Sequence, residues 1–128
     1  MKQISPKDAN QILQSDPEAI LLDVRSELEY MFVGHPVGAI HVPWQDGPDW
    51  DINPHFVSQV KKLAGKERPV LLICRSGIRS AEAAQQLEKE GWQHVYNILY
   101  GFEGELDERH HRSTLSGWRH EGLPWEQM

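Results

Sequence analysis

The only cysteine of the chain, Cys74, directly follows the apolar run VLLI and precedes RSGIR, after which a helical pattern begins at Ser80. This order predicts a buried strand, a tight connection and a helix. In a parallel sheet, ligands bind beyond the carboxyl ends of the strands. The N–H groups of the connection and of the first helical turn can converge on one point and attract an anion. We therefore predict an anion cradle around the sulfur, formed by Arg75, Ser76, Gly77, Ile78 and Arg79.

The same arrangement predicts a reactive sulfur at Cys74. Thiols at helix N-termini or beside cationic groups ionise more readily, and the thiolate is the nucleophilic form. Arg75 and Arg79 add positive charge, and each could bind an oxyanion through two N–H groups. The alternative is that Cys74 is a small buried apolar residue. We favour the reactive thiol because apolar packing has no need of the surrounding glycine, serines and arginines.

Composition and charge bound the possible functions. A chain of 128 residues fits one domain spanning 1–128 with one hydrophobic core. The net charge of -6 argues against nucleic acid as a partner. No apolar stretch is long enough for a membrane helix, and the first residues lack the apolar region of a secretory signal, so we expect no membrane partner. A single cysteine fits a reducing compartment, and we expect a cytoplasmic protein.

Predicted strands and helices alternate over the first hundred residues. We expect helices at 6–13, 27–34, 54–64 and 80–90, and strands at 19–24, 38–43, 69–74 and 95–99. This alternation predicts an α/β fold with a central, mostly parallel sheet of about five short strands and helices on both faces. The extended C-terminal segment 101–128 lacks this pattern. We expect irregular structure and short helical turns there, packed on the domain through Trp118 and Trp125.

Several spaced motifs resemble those of single-domain rhodaneses. They are LDVR at 22–25, GHPVGAIHVP at 34–43, the active-site loop CRSGIRS at 74–80 and the closing GLP at 122–124. The resemblance implies a rhodanese-like fold and a sulfurtransferase activity. Cys74 would take the outer sulfur from a small sulfur-containing anion such as thiosulfate. The resulting persulfide would pass that sulfur to cyanide, a small thiol or a protein thiol, and the resemblance implies neither a metal nor an organic cofactor.

Two other functions remain open beside this one. The chain could be a sulfur-relay carrier or binding module that receives a persulfide from a partner protein. It could also be a phosphatase or an arsenate reductase. Four residues separate Cys74 from Arg79, whereas the resemblance implies a loop one residue longer in cysteine phosphatases of this fold. The shorter loop therefore favours sulfur transfer over phosphate-ester hydrolysis.

Other polar residues near the predicted strand ends are interpreted as structural. Asp23 is expected to bind loop amides or Arg25 through hydrogen bonds, without a direct part in catalysis. His35 and His41 are expected to hold loops, because a thiolate nucleophile needs no general base. Trp44 is expected in the core, with a place in the wall of the substrate pocket as the alternative.

The segment 105–117 has no counterpart in the motifs above. It could line the mouth of the active site or cover an edge of the sheet. Its adjacent His110 and His111 point apart on an extended chain, and no third ligand has matching spacing. We therefore expect solvated histidines and no metal site.

Overall fold

The computed structural model describes residues 1–128. In chain order the strands are β1 (Lys2–Ile4), β2 (Ile20–Asp23), β3 (His35–Pro36), β4 (Ile40–His41), β5 (Gln45–Asp46), β6 (Asp51–Ile52), β7 (Val70–Ile73), β8 (Val95–Ile98) and β9 (Trp125–Glu126). The helices are α1 (Pro6–Ser15), α2 (Phe56–Leu63) and α3 (Ile78–Lys89), and a single π-helical turn spans Glu29–Val33. None of the helices combines the length and the apolar character that a membrane crossing requires.

The central sheet has five strands in the order β1-β8-β7-β2-β4, and every neighbouring pair is parallel. All residues of β2 and β7 are buried, as expected for strands covered on both faces. Asp23 pairs with Ile73 and with His41, so β2, β4 and β7 end at the same edge of the sheet. The predicted α/β fold with a central parallel sheet of five strands is confirmed.

Alternating side chains of β7 divide the core into two apolar clusters, one on each face of the sheet. Val70 and Leu72 belong to the larger cluster, which includes residues of α2 and α3. Leu71 and Ile73 belong to the smaller cluster, which includes Ala9 of α1 together with Phe102 and Trp118. Helices therefore cover both faces. Cys74 continues the alternation and lies on the face of α2 and α3.

Most predicted elements shift by one or two residues at an end, and two of the differences are relevant to the site. The helix expected at Ser80 begins at Ile78, because Gly77 turns the chain with a φ of +106° and places Ile78 and Arg79 in the first helical turn. The strand expected over 38–43 is reduced to Ile40–His41. The connection after β7 is therefore shorter than predicted, and Arg79 projects from the helix.

The short helix expected over 27–34 forms over residues 27–33, as two α-helical residues followed by the π-helical turn Glu29–Val33. The capping contacts that predicted it are present: the Glu29 amide donates to Ser26 Oγ over 3.4 Å and the Ser26 amide to Glu29 Oε1 over 3.3 Å. Glu29 also binds Arg79, and Tyr30 Oη donates to Ala39 O over 3.2 Å. These long-range contacts attach the helix to α3 and to the chain at residue 39.

Three short strand pairings were not predicted. β1 pairs with β8 at the edge of the central sheet, β5 pairs with β6 inside the expected loop 44–51, and β9 pairs with β3. The strands β1, β3, β5, β6 and β9 have two or three residues each, too few to show a period. Segment 101–128 is otherwise built of turns, as expected. Trp118 is 1% exposed, whereas Trp125 packs against Gly34 yet remains 41% exposed.

Candidate functional site

Cys74 lies immediately beyond the carboxyl end of β7 and is 1% exposed. Its sulfur accepts a hydrogen bond from the Gly77 amide over 3.1 Å. The Ser80 hydroxyl lies at the same distance, 3.1 Å, from Sγ. Donors of this kind stabilise a thiolate more than a thiol. Two hydrogen-bond donors of the protein therefore meet at the sulfur.

The backbone of the loop presents its amides to one side. The Cys74 carbonyl accepts from the Phe102 amide over 2.8 Å, and the Arg75 carbonyl accepts from the Glu103 amide over 2.9 Å. In a trans peptide the N–H points opposite to the C=O. The amides of Arg75 and Ser76 consequently point away from segment 102–103, and they donate to no group of the protein. They are available to an anion, as the predicted cradle requires.

Two glycines with positive φ make this arrangement possible. A Cβ on Gly77 would lie 3.3 Å from the Tyr100 amide nitrogen. Gly101 has a φ of +60°, and a Cβ there would lie 2.6 Å from the carbonyl carbon of Arg75 and also overlap the Cys74 carbonyl oxygen. The backbone at Gly101 can therefore approach the loop only because it carries no side chain.

Ser80 and Asn97 form a buried polar pair behind the sulfur that sequence reasoning missed. Ser80 Oγ lies 2.5 Å from Asn97 Oδ1. The amide group of Asn97 donates to Gln3 Oε1 over 2.7 Å and to the Gly77 carbonyl over 3.1 Å, which leaves Oδ1 as an acceptor. Since a hydroxyl carries one proton, Ser80 can donate either to Asn97 or to Cys74. The only signal in the sequence was the serine that follows Arg79.

The sequence had suggested that Arg79 could bind an oxyanion through two N–H groups, but its two terminal nitrogens are already engaged within the protein. Its Nη1 and Nη2 donate to Glu29 Oε1 and Oε2 over 2.7 and 2.9 Å. Burial raises the pKa of Glu29, but the hydrogen bonds and charge of Arg79 and the bonds from Ser26 outweigh it and lower the pKa from 4.5 to about 2. Burial lowers the pKa of Arg79. The hydrogen bonds and the charge of Glu29, followed by the charge of Cys74, raise this pKa by more than burial lowers it. The pair is therefore fully ionised at neutral pH.

A cavity of about 600 Å³ borders the loop. Trp50 lies in the wall of the cavity. Trp44 belongs to the core instead: it is 7% exposed and packs edge-on against Phe56, with the ring centroids 5.2 Å apart. Arg75 makes no hydrogen bond or ion pair within the protein through its side chain. The segment 105–117 contributes Arg112 to the wall of this cavity, next to Arg75 and Arg79 of the cysteine loop. The cavity is lined by Glu29, Val33, Gln45, Trp50, Arg75, Arg79, Glu103 and Arg112.

The polar residues interpreted as structural have structural contacts. Asp23 and Arg25 are both fully buried, and Arg25 Nε and Nη2 donate to Asp23 Oδ1 and Oδ2 over 2.9 and 2.6 Å. His41 Nε2 lies 2.7 Å from the Arg25 carbonyl, and His35 Nδ1 lies 3.0 Å from the Tyr30 carbonyl. The imidazoles of His35 and His41 both stack on the Tyr30 ring, with centroids 4.0 and 4.5 Å away. The hydrogen bonds predicted for Asp23, His35 and His41 are therefore present.

The described residues offer no group of three or more His, Cys, Asp or Glu side chains that could hold a metal ion. His110 and His111 are both exposed.

Comparisons with known proteins identify the family and the fold of the chain. A crystal structure of Rv0390 from M. tuberculosis is 38% identical, with a TM-score of 0.89 over 100% of this chain and 98% of that chain. The solution structure of a polysulfide-sulfur transferase homodimer from Wolinella succinogenes is 26% identical, with a TM-score of 0.68 over 100% and 80%. The thiosulfate sulfurtransferase GlpE of Haemophilus influenzae is 30% identical over 103 residues, which cover 80% of this chain and 86% of GlpE. The family model described as rhodanese-like domain matches residues 5–107, and the chain belongs to that family.

Proposed function

We propose that the protein is a sulfurtransferase that carries sulfane sulfur as a persulfide on Cys74. The observation that carries this proposal is the set of donors at one buried sulfur. The Gly77 amide and the Ser80 hydroxyl reach Sγ, and the amides of Arg75 and Ser76 have no partner in the protein. The family, and the name of the GlpE relative, support the same activity.

In the first step the Cys74 thiolate attacks the outer sulfur of thiosulfate. A bond forms between Sγ and that sulfur, the S–S bond of thiosulfate breaks, and sulfite departs with the bonding electron pair. The product is a persulfide anion on Cys74. Loop amides stabilise its terminal negative charge because they are already oriented and need no reorganisation. The ionised Arg79–Glu29 pair holds the start of α3, and with it Ser80, in place.

In the second step a thiophilic acceptor attacks the terminal sulfur of the persulfide. With cyanide the products are thiocyanate and the Cys74 thiolate. With a thiol the products are a new persulfide and the same thiolate. The Ser80 hydroxyl can donate to Sγ in this ionised state and to Asn97 Oδ1 when Cys74 is protonated, since both acceptors lie within its reach.

The intact mass of the protein after treatment with thiosulfate tests this proposal. The wild type is expected to gain one sulfur atom and to lose it on addition of cyanide. Cys74→Ala should gain none, while Lys62→Ala, on the exposed side of α2, should load like the wild type. A wild type that stays unmodified at saturating thiosulfate would refute the proposed donor chemistry.

The relay function is the second candidate, and the burial of Cys74 is the observation relevant to it. Because the Cys74 residue is only 1% exposed, a small donor molecule can reach its sulfur more easily than a persulfide carried on a donor protein can. Loading by a persulfidated donor protein, compared with loading by thiosulfate and by inorganic polysulfide, separates the two functions. Loading by the protein donor alone would establish the relay function.

A further inference from the structure

The wall of the cavity carries more positive charge than the chain as a whole would suggest. Three of its residues are arginines and two are glutamates, in a protein whose net charge is -6. Glu29 is engaged by both terminal nitrogens of Arg79. Glu103 lies 3.8 Å from Arg119, which is not part of the wall. Arg75 and Arg112 are consequently the two arginines of the wall that form no ion pair with a carboxylate of the wall.

Arg112 is held in position by the backbone that also supports the cysteine loop. Its Nη1 donates to the Gly104 carbonyl over 2.6 Å, and the Gly104 amide donates to the Arg75 carbonyl over 3.3 Å. This one bond leaves the other N–H donors of the Arg112 guanidinium free, and the side chain is only half-buried. An arginine that is fixed at one nitrogen loses little freedom when it binds a ligand with the others.

We propose that Arg75 and Arg112 form an oxyanion subsite that binds the leaving group of the sulfur donor, apart from the amides that receive the transferred sulfur. This inference rests on the proposed function and adds Arg112 to the groups that bind its sulfur donor. Guanidinium groups match the oxygens of a sulfite leaving group in both charge and geometry. Arg112 belongs to the segment 105–117 and makes that segment a determinant of donor specificity.

The test measures the rate of Cys74 persulfide formation against thiosulfate concentration in wild type, Arg112→Ala, Arg112→Lys and Arg109→Ala. Arg109→Ala is the matched control, because Arg109 is an exposed arginine of the same segment that does not line this cavity. We expect Arg112→Ala to raise the half-saturating thiosulfate concentration about tenfold, the loss of about 1.4 kcal/mol of binding. Its limiting rate should change by less than about twofold, and Arg109→Ala should match the wild type.

Two further measurements exclude a merely structural role for Arg112. Inorganic polysulfide transfers its terminal sulfur and releases a polysulfide that is shorter by one sulfur atom and has no oxygen atoms, so its half-saturating concentration should change less than about threefold in Arg112→Ala. The salt dependence of thiosulfate binding should also weaken in this variant. Arg112→Lys, which keeps the charge, should fall between Arg112→Ala and wild type, and it substitutes for the alanine variant if that variant fails to fold.

The outcomes separate this inference from the proposed function. A wild type that is not loaded by thiosulfate refutes the proposed function and the subsite together. A loaded wild type with equal half-saturating concentrations in the variants at Arg112 and Arg109 refutes the subsite alone. Equal losses with thiosulfate and polysulfide in Arg112→Ala also refute it, since they would show that Arg112 only supports the loop.

Discussion

The cysteine loop (residues 74–80) and the segment 105–117 both contribute an arginine to the same cavity, but they are held in different ways. The loop is held by other elements of the fold. Segment 102–104 binds its carbonyls on one side, and Asn97 of β8 binds the Gly77 carbonyl on the other. The segment 105–117 is held by its own hydrogen bonds, in which Asp107 accepts from Arg109, His111 and Thr114, and by bonds to residues 103, 104 and 119, which lie outside the sheet.

This difference separates the chemistry from the selection of the substrate. A loop held on both sides keeps its amides oriented whether or not a ligand is bound, which is what stabilisation of a developing charge requires. A segment whose hydrogen bonds go to itself and to residues outside the strands can change in sequence without disturbing the sheet. We therefore expect substitutions in the loop to affect the transfer of sulfur, and substitutions in the segment to affect which donor binds.

The largest effect is expected from Gly101→Ala. The new Cβ would meet the carbonyl carbon of Arg75 at 2.6 Å, so the loop must move. Gly38→Ala is the matched control, because Gly38 also has a positive φ, +83°, but a Cβ there would have no atom within 4 Å. Gly101→Ala should cost about 2 kcal/mol more in unfolding free energy than the control and slow persulfide formation strongly. Equal stability and loading in the two variants, measured by urea unfolding and intact mass, would show that the loop does not depend on this close approach.

Ser80→Ala should have the next largest effect. It removes a donor from Cys74 Sγ and leaves the buried Asn97 Oδ1 without its partner. We expect a loss of about 1–3 kcal/mol in stability and slower alkylation of Cys74 by iodoacetamide at neutral pH. Ser58→Ala, at an exposed position of α2, should change neither property appreciably. Alkylation as fast as in the wild type would argue that Ser80 serves Asn97 alone.

Glu29→Gln should change the response of stability to pH. The pKa of Glu29 is lowered from 4.5 to about 2, so its pairing with Arg79 stabilises the fold above pH 4.5 and loses that effect as the pH falls to about 2. Wild type should therefore exceed Glu29→Gln by on the order of 2 kcal/mol near neutral pH, and the difference should shrink through this window. The exposed Glu27→Gln is the control, and urea unfolding from pH 2 to 7 is the measurement. A difference that stays constant with pH would contradict the ion pair as its source.

The smallest effect is expected from Asp107→Asn. Hydrogen bonds from the Arg109 and His111 amides and from Thr114 fix this exposed carboxylate, and the His111 bond is the main cause of its lowered pKa. Weaker bonds to an amide oxygen should loosen the segment around Arg112 and raise the half-saturating thiosulfate concentration by about twofold to threefold, with stability changed by less than about 0.5 kcal/mol. Glu108→Gln removes the same charge without these bonds. A matching rise in that control would assign the effect to charge and not to the geometry of the segment.

Short-range patterns predicted much of the fold and the centre of the site. The alternation of apolar runs with amphipathic stretches identified the parallel sheet, because burial on both faces demands continuous apolar strands. The run ending at Cys74, followed by Gly77 and a helical pattern, placed the thiol at the edge where parallel strands end. The Asp23–Arg25 pair was predictable because the two residues lie on one strand end. Very short strands such as β1 and β4 were missed or overextended, since two or three residues show no period.

The partners of the loop could not be predicted in the same way. Arg79 and Glu29 are 50 residues apart, and Asn97 and Gln3 are 94 apart, so no local pattern connects them. The choice of Trp50 over Trp44 for the cavity wall depended on the hairpin of β5 and β6, which turns one indole inward to the core and leaves the other at the cavity.

The sequence by itself determined the strand, the thiol at its end, the glycine turn and the helix that follows, because each depends on hydrogen bonding and burial within a few residues. Tertiary structure alone decided which charges near the thiol are neutralised. It paired Arg79 with Glu29, and it left Arg75 and Arg112 facing the same cavity. Electrostatic balance depends on distances between side chains remote in the chain, and only packing of the whole fold sets those distances.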